Sequence, residues 1–214
     1  MRIAFYSESP SDQTALAVFT QGLLGAPPEP VHNMDLQAHG VTSVLKGLDG
    51  VFRGLHYNSD AEGLVVVVDS DDTELHNPSH DAPGCAGINC RLCQVRNIIE
   101  QTRKHVKPRQ GRAELKVAVG LAVPAIEAWY LVGKNHEVGE AAWKVGLSAG
   151  KRPFTRKQLK AMVYGTDRPS LELETKCAVK EASRIIGDLK AIESSFPDGF
   201  GPMALEIRSW AALP

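Results

Sequence analysis

The chain has 214 residues, of which 43% are hydrophobic and 23% charged, with a formal net charge of -1 at pH 7. This length allows one sizeable core, and the charge excludes a general attraction to nucleic acid, so any such contact must come from local basic patches. No apolar run approaches membrane-spanning length, and Glu8 and Asp12 interrupt the region where a signal peptide would be apolar, so we expect a cytoplasmic protein.

The N-terminal segment predicts the first strand, turn and helix of an α/β unit. Residues 2–6 (RIAFY) are expected to form a short strand, and the apolar spacing of residues 14–24 predicts a helix that Gly25 ends. Glu8 therefore lies in a strand-to-helix turn. A second short strand is expected over residues 30–35 and a helix over residues 41–55.

The run LVVVV at residues 64–68 predicts the central strand of the fold. β-Branched residues suit a pleated strand, and a continuous apolar run is typical of a parallel strand that is covered on both faces. Three carboxylates follow directly: Asp69, Asp71 and Asp72. Ligands of open α/β sheets bind at the carboxyl ends of the strands, and clustered acids repel one another unless a cation or a proton intervenes. We therefore predict a magnesium or manganese site there, and the alternative is a solvated acidic turn.

A loop over residues 73–89 contains histidines and cysteines whose spacing suits a tetrahedral zinc site. The closing Cys-x-x-Cys pair lets two thiolates reach one ion, and His76 is a reserve ligand. The alternative is that the cysteines are ordinary half-buried residues at the start of a helix. The predicted ligands are His80, Cys85, Cys90 and Cys93.

The middle of the chain predicts a further helix, strand and helix. Residues 91–106 have a helical apolar stripe, residues 115–123 form a β-rich run, and Pro124 is expected in the first turn of a helix over residues 125–132. Glu127 then lies just past a strand end, where it either caps the helix or adds an acidic ligand to the edge that carries Glu8 and Asp69.

Basic residues cluster around the helix at residues 91–106 and again over residues 151–160. Each cluster is either a solvated surface or a phosphate contact beside the acidic site. Beyond residue 134 the pattern is one of helices and loops, with helices expected over residues 137–145, 156–163 and 172–189. Residues 203–210 are expected to form a closing helix or an edge element. We divide the chain into an α/β core at residues 1–134, with a Cys/His loop at 73–93, and a helical C-terminal extension at residues 135–214.

These motifs together resemble the TOPRIM fold of topoisomerases, primases and overcoming-lysogenization-defect nucleases. The likeness rests on a glutamate after the first strand (Glu8), an acid soon after it (Asp12), and a later apolar strand that ends in Asp-x-Asp (Asp69, Asp71). The segment VPAIEAWYL at residues 123–131 resembles an uncharacterised TOPRIM-like family of bacterial and archaeal proteins, some of them linked to phage defence. The likeness covers roughly the first two-thirds of the chain.

The resemblance implies a Rossmann-like TOPRIM fold, with a mostly parallel sheet between helices, and a metal-dependent nuclease acting on DNA or RNA. Glu8 would be the general acid or base, and Asp69 and Asp71 would hold magnesium at the attacked phosphate. Asp72 and Glu127 would either be auxiliary ligands of that magnesium or contact its ligands without binding the ion themselves.

The sequence also supports two other functions. A strand followed by Asp69-Ser70-Asp71 resembles the first motif of haloacid-dehalogenase-like phosphatases, in which Asp69 would be the nucleophile and Asp71 the acid or base. Such a motif normally opens the domain, whereas here the strand and helix around Glu8 precede it. The other possibility is a non-catalytic TOPRIM-like module that binds a partner protein such as an ATPase, which Ser9 and Pro10 favour because the usual TOPRIM glutamate is followed by glycine.

Overall fold

The computed structural model describes residues 1–31, 36–82, 89–109 and 111–211. Within them the chain forms an α/β fold with an open, parallel three-stranded sheet of order β1-β2-β3. The strands are β1 (Ile3–Tyr6), β2 (Gly63–Asp69) and β3 (Lys116–Ala122). The register pairs Tyr6 with Val66 and Asp69 with Ala122, so the carboxyl ends of all three strands meet at one edge. The predicted α/β class and parallel sheet are confirmed.

The sheet is covered by two pairs of helices. All seven residues of β2 are buried, and because strand side chains alternate between the two faces, both faces must be covered. Helix α1 (Pro10–Leu24) packs with α9 (Phe200–Ala211), and α2 (Val41–Asn58) packs with α3 (Arg91–His105). Each of the four helices also contacts at least one strand.

Helix α1 begins earlier than residue 14, where we expected it. Pro10 stands in its first turn, and the Ser9 side chain caps it by accepting a hydrogen bond of 3.3 Å from the backbone N–H of Asp12. The helix ends at Gly25, whose φ of 74° is the left-handed cap that glycine adopts readily. This early start leaves only a short turn around Glu8, close to the end of β1.

The expected strand at residues 30–35 is not present over its first two residues. Pro30 and Val31 belong to no strand, and residues 32–35 lie outside the described part of the chain. Glu29 makes one isolated parallel bridge with Arg2 instead. Proline lacks the N–H that a strand needs to continue its ladder, which explains why pairing stops there.

The helix expected over residues 125–132 is reduced to α4 (Glu127–Tyr130), so Pro124 precedes the helix and does not stand in its first turn. All four residues of α4 are buried. The Trp129 ring packs edge-on against Phe200 and Phe19, with centroid distances of 5.0 and 6.1 Å. This packing holds the neighbouring Glu127 in the interior.

The C-terminal part packs its helices against the sheet and α1. The helices are α5 (Glu140–Ser148), α6 (Arg156–Tyr164), α7 (Leu171–Ile185), α8 (Leu189–Ser195) and α9. The single helix expected over residues 172–189 is interrupted by a 3₁₀ turn at Ile186–Asp188. Helix α7 contacts α1, α6 contacts α4 and α7, and α9 contacts β3. Across the described residues, no helix combines the length and apolar composition needed to cross a bilayer.

Candidate functional site

Glu8 and Asp69 meet at the carboxyl edge of the sheet. The backbone N–H of Asp69 donates a hydrogen bond of 2.9 Å to Glu8 Oε1. The contact follows from the topology, because β1 and β2 are adjacent parallel strands and each carboxylate lies at or just past its strand end. The backbone N–H of Gly40 also bonds to the Glu8 carbonyl at 3.2 Å, which ties the start of α2 to the same turn.

The turn after β2 is held by the segment after β3. The backbone N–H groups of Ser70 and Asp71 donate to the carbonyls of Ala122 and Pro124 at 2.7 and 2.8 Å. Asp71 has a φ of 46°, an uncommon conformation for a residue with a side chain. Asp69 Oδ1 accepts a hydrogen bond of 3.0 Å from the backbone N–H of Ile126. The segment at residues 123–131 therefore supports the acidic turn directly.

Arg156 joins the carboxylates of Asp69 and Asp71. Its Nη2 donates to Asp69 Oδ2 at 2.6 Å, and its Nη1 donates to Asp71 Oδ1 at 2.7 Å. Arg156 is the first residue of α6, and Thr155 and Gln158 form a reciprocal capping box that fixes this helix start. The guanidinium therefore lies between the two acids that the sequence predicted as metal ligands.

One face of α6 is directed at the acids. Arg156, Lys160 and Tyr164 recur at intervals of four residues, which places them on one side of a helix. The Tyr164 hydroxyl donates to Glu127 Oε1 at 3.3 Å, and Lys160 Nζ lies 3.9 Å from the same oxygen. Lys160 also contacts Glu174, on α7, at 2.8 Å. The helix thus supplies the cations and the hydroxyl that face the sheet edge.

A polar cavity of about 230 Å³ opens between these groups. Glu127 is 4% exposed, and its Oε2 has no hydrogen-bond partner among the described residues. A buried carboxylate oxygen without a partner is costly unless a cation, a proton or water reaches it. The charged side chains that line the cavity are Glu8, Asp12, Asp69, Glu127, Arg156, Lys160 and Glu174.

Burial shifts the acids toward their neutral forms. It raises the pKa of Asp69 well above its usual range, against the opposing effect of Arg156. It also raises the pKa of Glu8 and of Glu127, and together with the nearby Glu127 it raises the pKa of Asp12 to about 7. Burial would lower the pKa of Arg156, but Asp69 and then Asp71 raise it instead. Without a bound cation, burial therefore disfavours the charged forms of the acids at this edge.

The predicted acidic ligands are not all brought together. Asp72 is exposed and pairs with Arg152. In the part of the chain that the structure describes, the carboxylate oxygens of the predicted set do not converge within ligand distance of one another, because Arg156 stands between Asp69 and Asp71. Glu8, Asp69 and Glu127 do line one cavity, with Asp71 joined to them through Arg156.

A second group of side chains does converge. His76, His80, Cys90 and Cys93 place one ligand atom each within 4.8 Å of all the others, so they could hold a metal ion such as zinc. His76 Nδ1 lies 3.3 Å from Cys93 Sγ and 4.0 Å from Cys90 Sγ, and His80 Nδ1 lies 3.6 Å from Cys93 Sγ. Bond lengths of about 2.0–2.3 Å in a tetrahedral zinc site separate the ligand atoms by about 3.3–3.8 Å. Both distances to Cys93 Sγ lie in this range, and the distance of 4.0 Å to Cys90 Sγ is slightly longer.

Both histidines turn their other ring nitrogen to a carboxylate. His76 Nε2 lies 3.3 Å from Asp81 Oδ2, and His80 Nε2 lies 3.1 Å from Glu74 Oε1 and 2.8 Å from Asn77 Nδ2. This is the arrangement that orients metal-bound histidines in proteins. The 3₁₀ turn at Pro78–Asp81, capped by the Asn77 side chain, brings the second histidine beside the first. His76 thus takes part in the cluster, and the predicted ligand Cys85 lies outside the described residues.

Arg91 connects the two sites. It follows Cys90 directly and is the first residue of α3. Its Nη1 donates to the Asp69 carbonyl at 2.6 Å and to Asp71 Oδ2 at 2.7 Å. Arg156 and Arg91 therefore each bind one oxygen of the Asp71 carboxylate, and Arg91 stands beside a cysteine of the His/Cys cluster.

The sequence did not predict which groups several of the basic side chains contact. Arg91 and Arg156 lie in the clusters that the sequence interpreted as solvated surface or phosphate contacts, whereas each of them contacts the acidic turn. The signal for α6 was present in the four-residue spacing of Arg156, Lys160 and Tyr164. Nothing in the sequence indicates which element this face meets.

Comparison of the chain with protein-family models, with curated proteins and with solved structures found no match. The function must therefore be inferred from the side chains themselves.

Proposed function

We propose that the protein is a TOPRIM-type nuclease, which hydrolyses phosphodiester bonds of DNA or RNA with a divalent cation, magnesium or manganese. The observation that carries the proposal is the contact between Glu8 and the end of β2 at Asp69, at the edge where α/β folds bind ligands. The donor set fits such a cation, because it consists of hard carboxylate oxygens, and buried Glu127 Oε2 has no partner among the described residues.

Each residue at this edge has a role in the proposed reaction. Asp69 and Asp71 would hold the cation, with Glu127 and Asp72 as auxiliary groups. Glu8, whose pKa is raised by burial, is suited to exchange a proton as the general acid or base. When bound, the cation would stabilise charge on the attacked phosphate and activate water.

In this proposal, arginines beside the acidic turn bind the phosphate group of the substrate. Arg156 holds two carboxylates, and a cation that binds Asp69 and Asp71 would release its guanidinium. A free guanidinium binds phosphate oxygens in a two-pronged geometry. Arg91 and Arg152 also lie beside the acidic turn, so the chain offers local positive charge to a nucleic acid despite its net charge of -1.

The metal of the His/Cys cluster is, in this proposal, zinc in a structural role. Two imidazoles and two thiolates are a common ligand set of structural zinc sites, and all four positions are filled by protein. Cys90 is fully buried and His76 and His80 are each 8% exposed, which leaves little access for a substrate.

The test is a cleavage assay with end-labelled single- and double-stranded DNA and RNA, with and without magnesium. We expect magnesium-dependent cleavage of at least one substrate, loss of cleavage in Asp69→Asn and Glu8→Gln, and unchanged cleavage in the control Glu100→Gln, an exposed acid on α3. Cleavage that survives Glu8→Gln but not Asp69→Asn would contradict the assignment of Glu8 as the general acid or base. Absence of magnesium-dependent cleavage from every substrate would contradict the proposal.

A further inference from the structure

We infer that zinc in the His/Cys cluster positions the acidic turn at residues 69–72 through Arg91, so that zinc and magnesium favour each other's binding. This inference rests on the proposed function, because it needs a divalent cation at Asp69 and Asp71. In this inference Arg91 is a positioning residue, and the zinc has a role beyond stabilising its own loop.

The His/Cys cluster takes its residues from two segments of the chain that border the acidic turn. His76 and His80 follow Asp72 closely along the chain, and Cys90 and Cys93 lie at the start of α3. An ion bound by all four side chains joins the segment that leaves β2 to the first turn of α3. Its coordination bonds would fix the distance between these two segments.

Arg91, in the first turn of α3, contacts the acidic turn directly. Arg91 Nη1 donates both to the Asp69 carbonyl and to Asp71 Oδ2, and the Arg91 side chain is only 14% exposed. A charged hydrogen bond of this kind is strong when it is shielded from water. Because Cys90 immediately precedes Arg91, any shift of Cys90 would move the arginine away from Asp71.

Asp71 needs such support. Its φ of 46° lies in the left-handed region, which a residue with a side chain adopts at a cost unless its neighbours hold it there. Arg156 is the other cation on its carboxylate, and the proposed magnesium would displace it. Among the described residues, Arg91 would then still hold the Asp71 carboxylate in place for the ion.

The inference predicts a reciprocal effect that can be measured on the zinc-loaded, full-length chain. If zinc favours magnesium binding, magnesium must favour zinc binding by the same factor. The zinc affinity is measured by equilibrium competition with a zinc-selective chromophoric chelator, with and without saturating magnesium. The proteins are wild type, Arg91→Met, Arg91→Lys and the control Lys104→Met, which removes an exposed positive charge from the same helix.

In wild type and Lys104→Met, we expect magnesium to raise the zinc affinity about tenfold, the effect typical of groups that support metal ligands. Arg91→Met should bind zinc but show no effect of magnesium. Arg91→Lys keeps the charge and should show an intermediate effect, and it provides the test if Arg91→Met does not fold.

Three results would overturn the inference. They are a purified protein that binds no zinc, a zinc affinity that magnesium leaves unchanged in wild type, and an equal effect of magnesium in wild type and Arg91→Met. A parallel manganese titration followed by electron paramagnetic resonance separates the two proposals. If manganese binds but leaves zinc affinity unchanged, only the link through Arg91 fails, and if no manganese binds, the proposed nuclease site fails as well.

Discussion

The backbone N–H of Asp69 donates a hydrogen bond of 2.9 Å to Oε1 of Glu8, across 61 positions of the chain. It joins the residue that ends β2 to the turn that follows β1. Because a backbone donor fixes the Glu8 carboxylate, the glutamate is directed at the acidic turn before any ligand binds. Substitutions at Glu8 can therefore test the role of its charge separately from its role as a hydrogen-bond acceptor.

Glu8→Gln should leave the stability of the fold nearly unchanged. The glutamine Oε1 can still accept the hydrogen bond from Asp69, and the raised pKa of Glu8 shows that burial already disfavours the charge. Glu8→Ala leaves the Asp69 N–H without its acceptor and should lower the free energy of unfolding by about 1–3 kcal/mol. Urea unfolding of both variants checks this, and equal losses would show that the hydrogen bond contributes little.

Arg156→Met should separate cation binding from cleavage. Loss of a positive charge that contacts both Asp69 and Asp71 should raise manganese affinity about tenfold or more, because the ion no longer competes with the guanidinium. Cleavage should fall, because the phosphate loses its partner. Arg152→Met is the matched control, since Arg152 pairs with the exposed Asp72. Weaker manganese binding in Arg156→Met would contradict the proposed exchange.

The stability of the protein without added divalent cations should fall as the pH rises from about 4 to 7. The pKa of Asp12 is raised to about 7 by burial and by Glu127, from about 4 in an unfolded chain. Between these values the folded state keeps a proton that the unfolded state has lost, so folding is favoured at the acidic end and the gain is gone above pH 7.

Asp12→Asn should therefore reduce this pH dependence, measured by urea unfolding at a series of pH values. Glu193→Gln is the control, because Arg208 lowers the pKa of Glu193 and its contribution is lost only as the pH falls below the usual range of glutamate. An unchanged slope between pH 5 and 7 in Asp12→Asn would show that Asp12 is ionised in the folded protein.

Gly199→Ala should destabilise the protein strongly. A Cβ at this position would collide with the carbonyl oxygen of Leu121 on β3, and Leu121 N–H donates to the Gly199 carbonyl at 3.2 Å. Overpacking at a backbone contact costs about 1–3 kcal/mol or more. Gly187→Ala is the control, because nothing lies within 4 Å of its added Cβ. Equal melting temperatures of the two variants would contradict this close approach of the chain before α9 to β3.

Much of the fold follows from local sequence patterns. The valine run predicts β2, and the order of strand, turn and helix predicts that Glu8 and Asp69 share an edge, as the structure shows. The limits of the helices were harder to predict. Pro10 starts α1 because proline is tolerated in a first turn. Helix α4 has only four residues, all of them buried, and its Trp129 packs against two aromatic rings from other parts of the chain.

The sequence predicted the acids of the site and three members of the His/Cys cluster, but not the basic side chains that meet the acids. Arg156 comes from a helix 87 positions beyond Asp69, and no local pattern states that α6 packs on this edge. His80, Cys90 and Cys93 were predicted as ligands and His76 as a reserve ligand, but the sequence pattern does not specify the 3₁₀ turn that contains His80 and places it beside His76. In both cases tertiary contacts decide which side chains meet.

The most direct test of the proposed cation site is a manganese titration of wild type, Glu8→Gln and Asp69→Asn, followed by electron paramagnetic resonance. We predict one site in wild type beyond the His/Cys cluster, which is kept filled with zinc, and loss of that site in both variants. Binding that persists unchanged in both variants, or no binding in wild type, would contradict a divalent-cation site at the ends of β1 and β2.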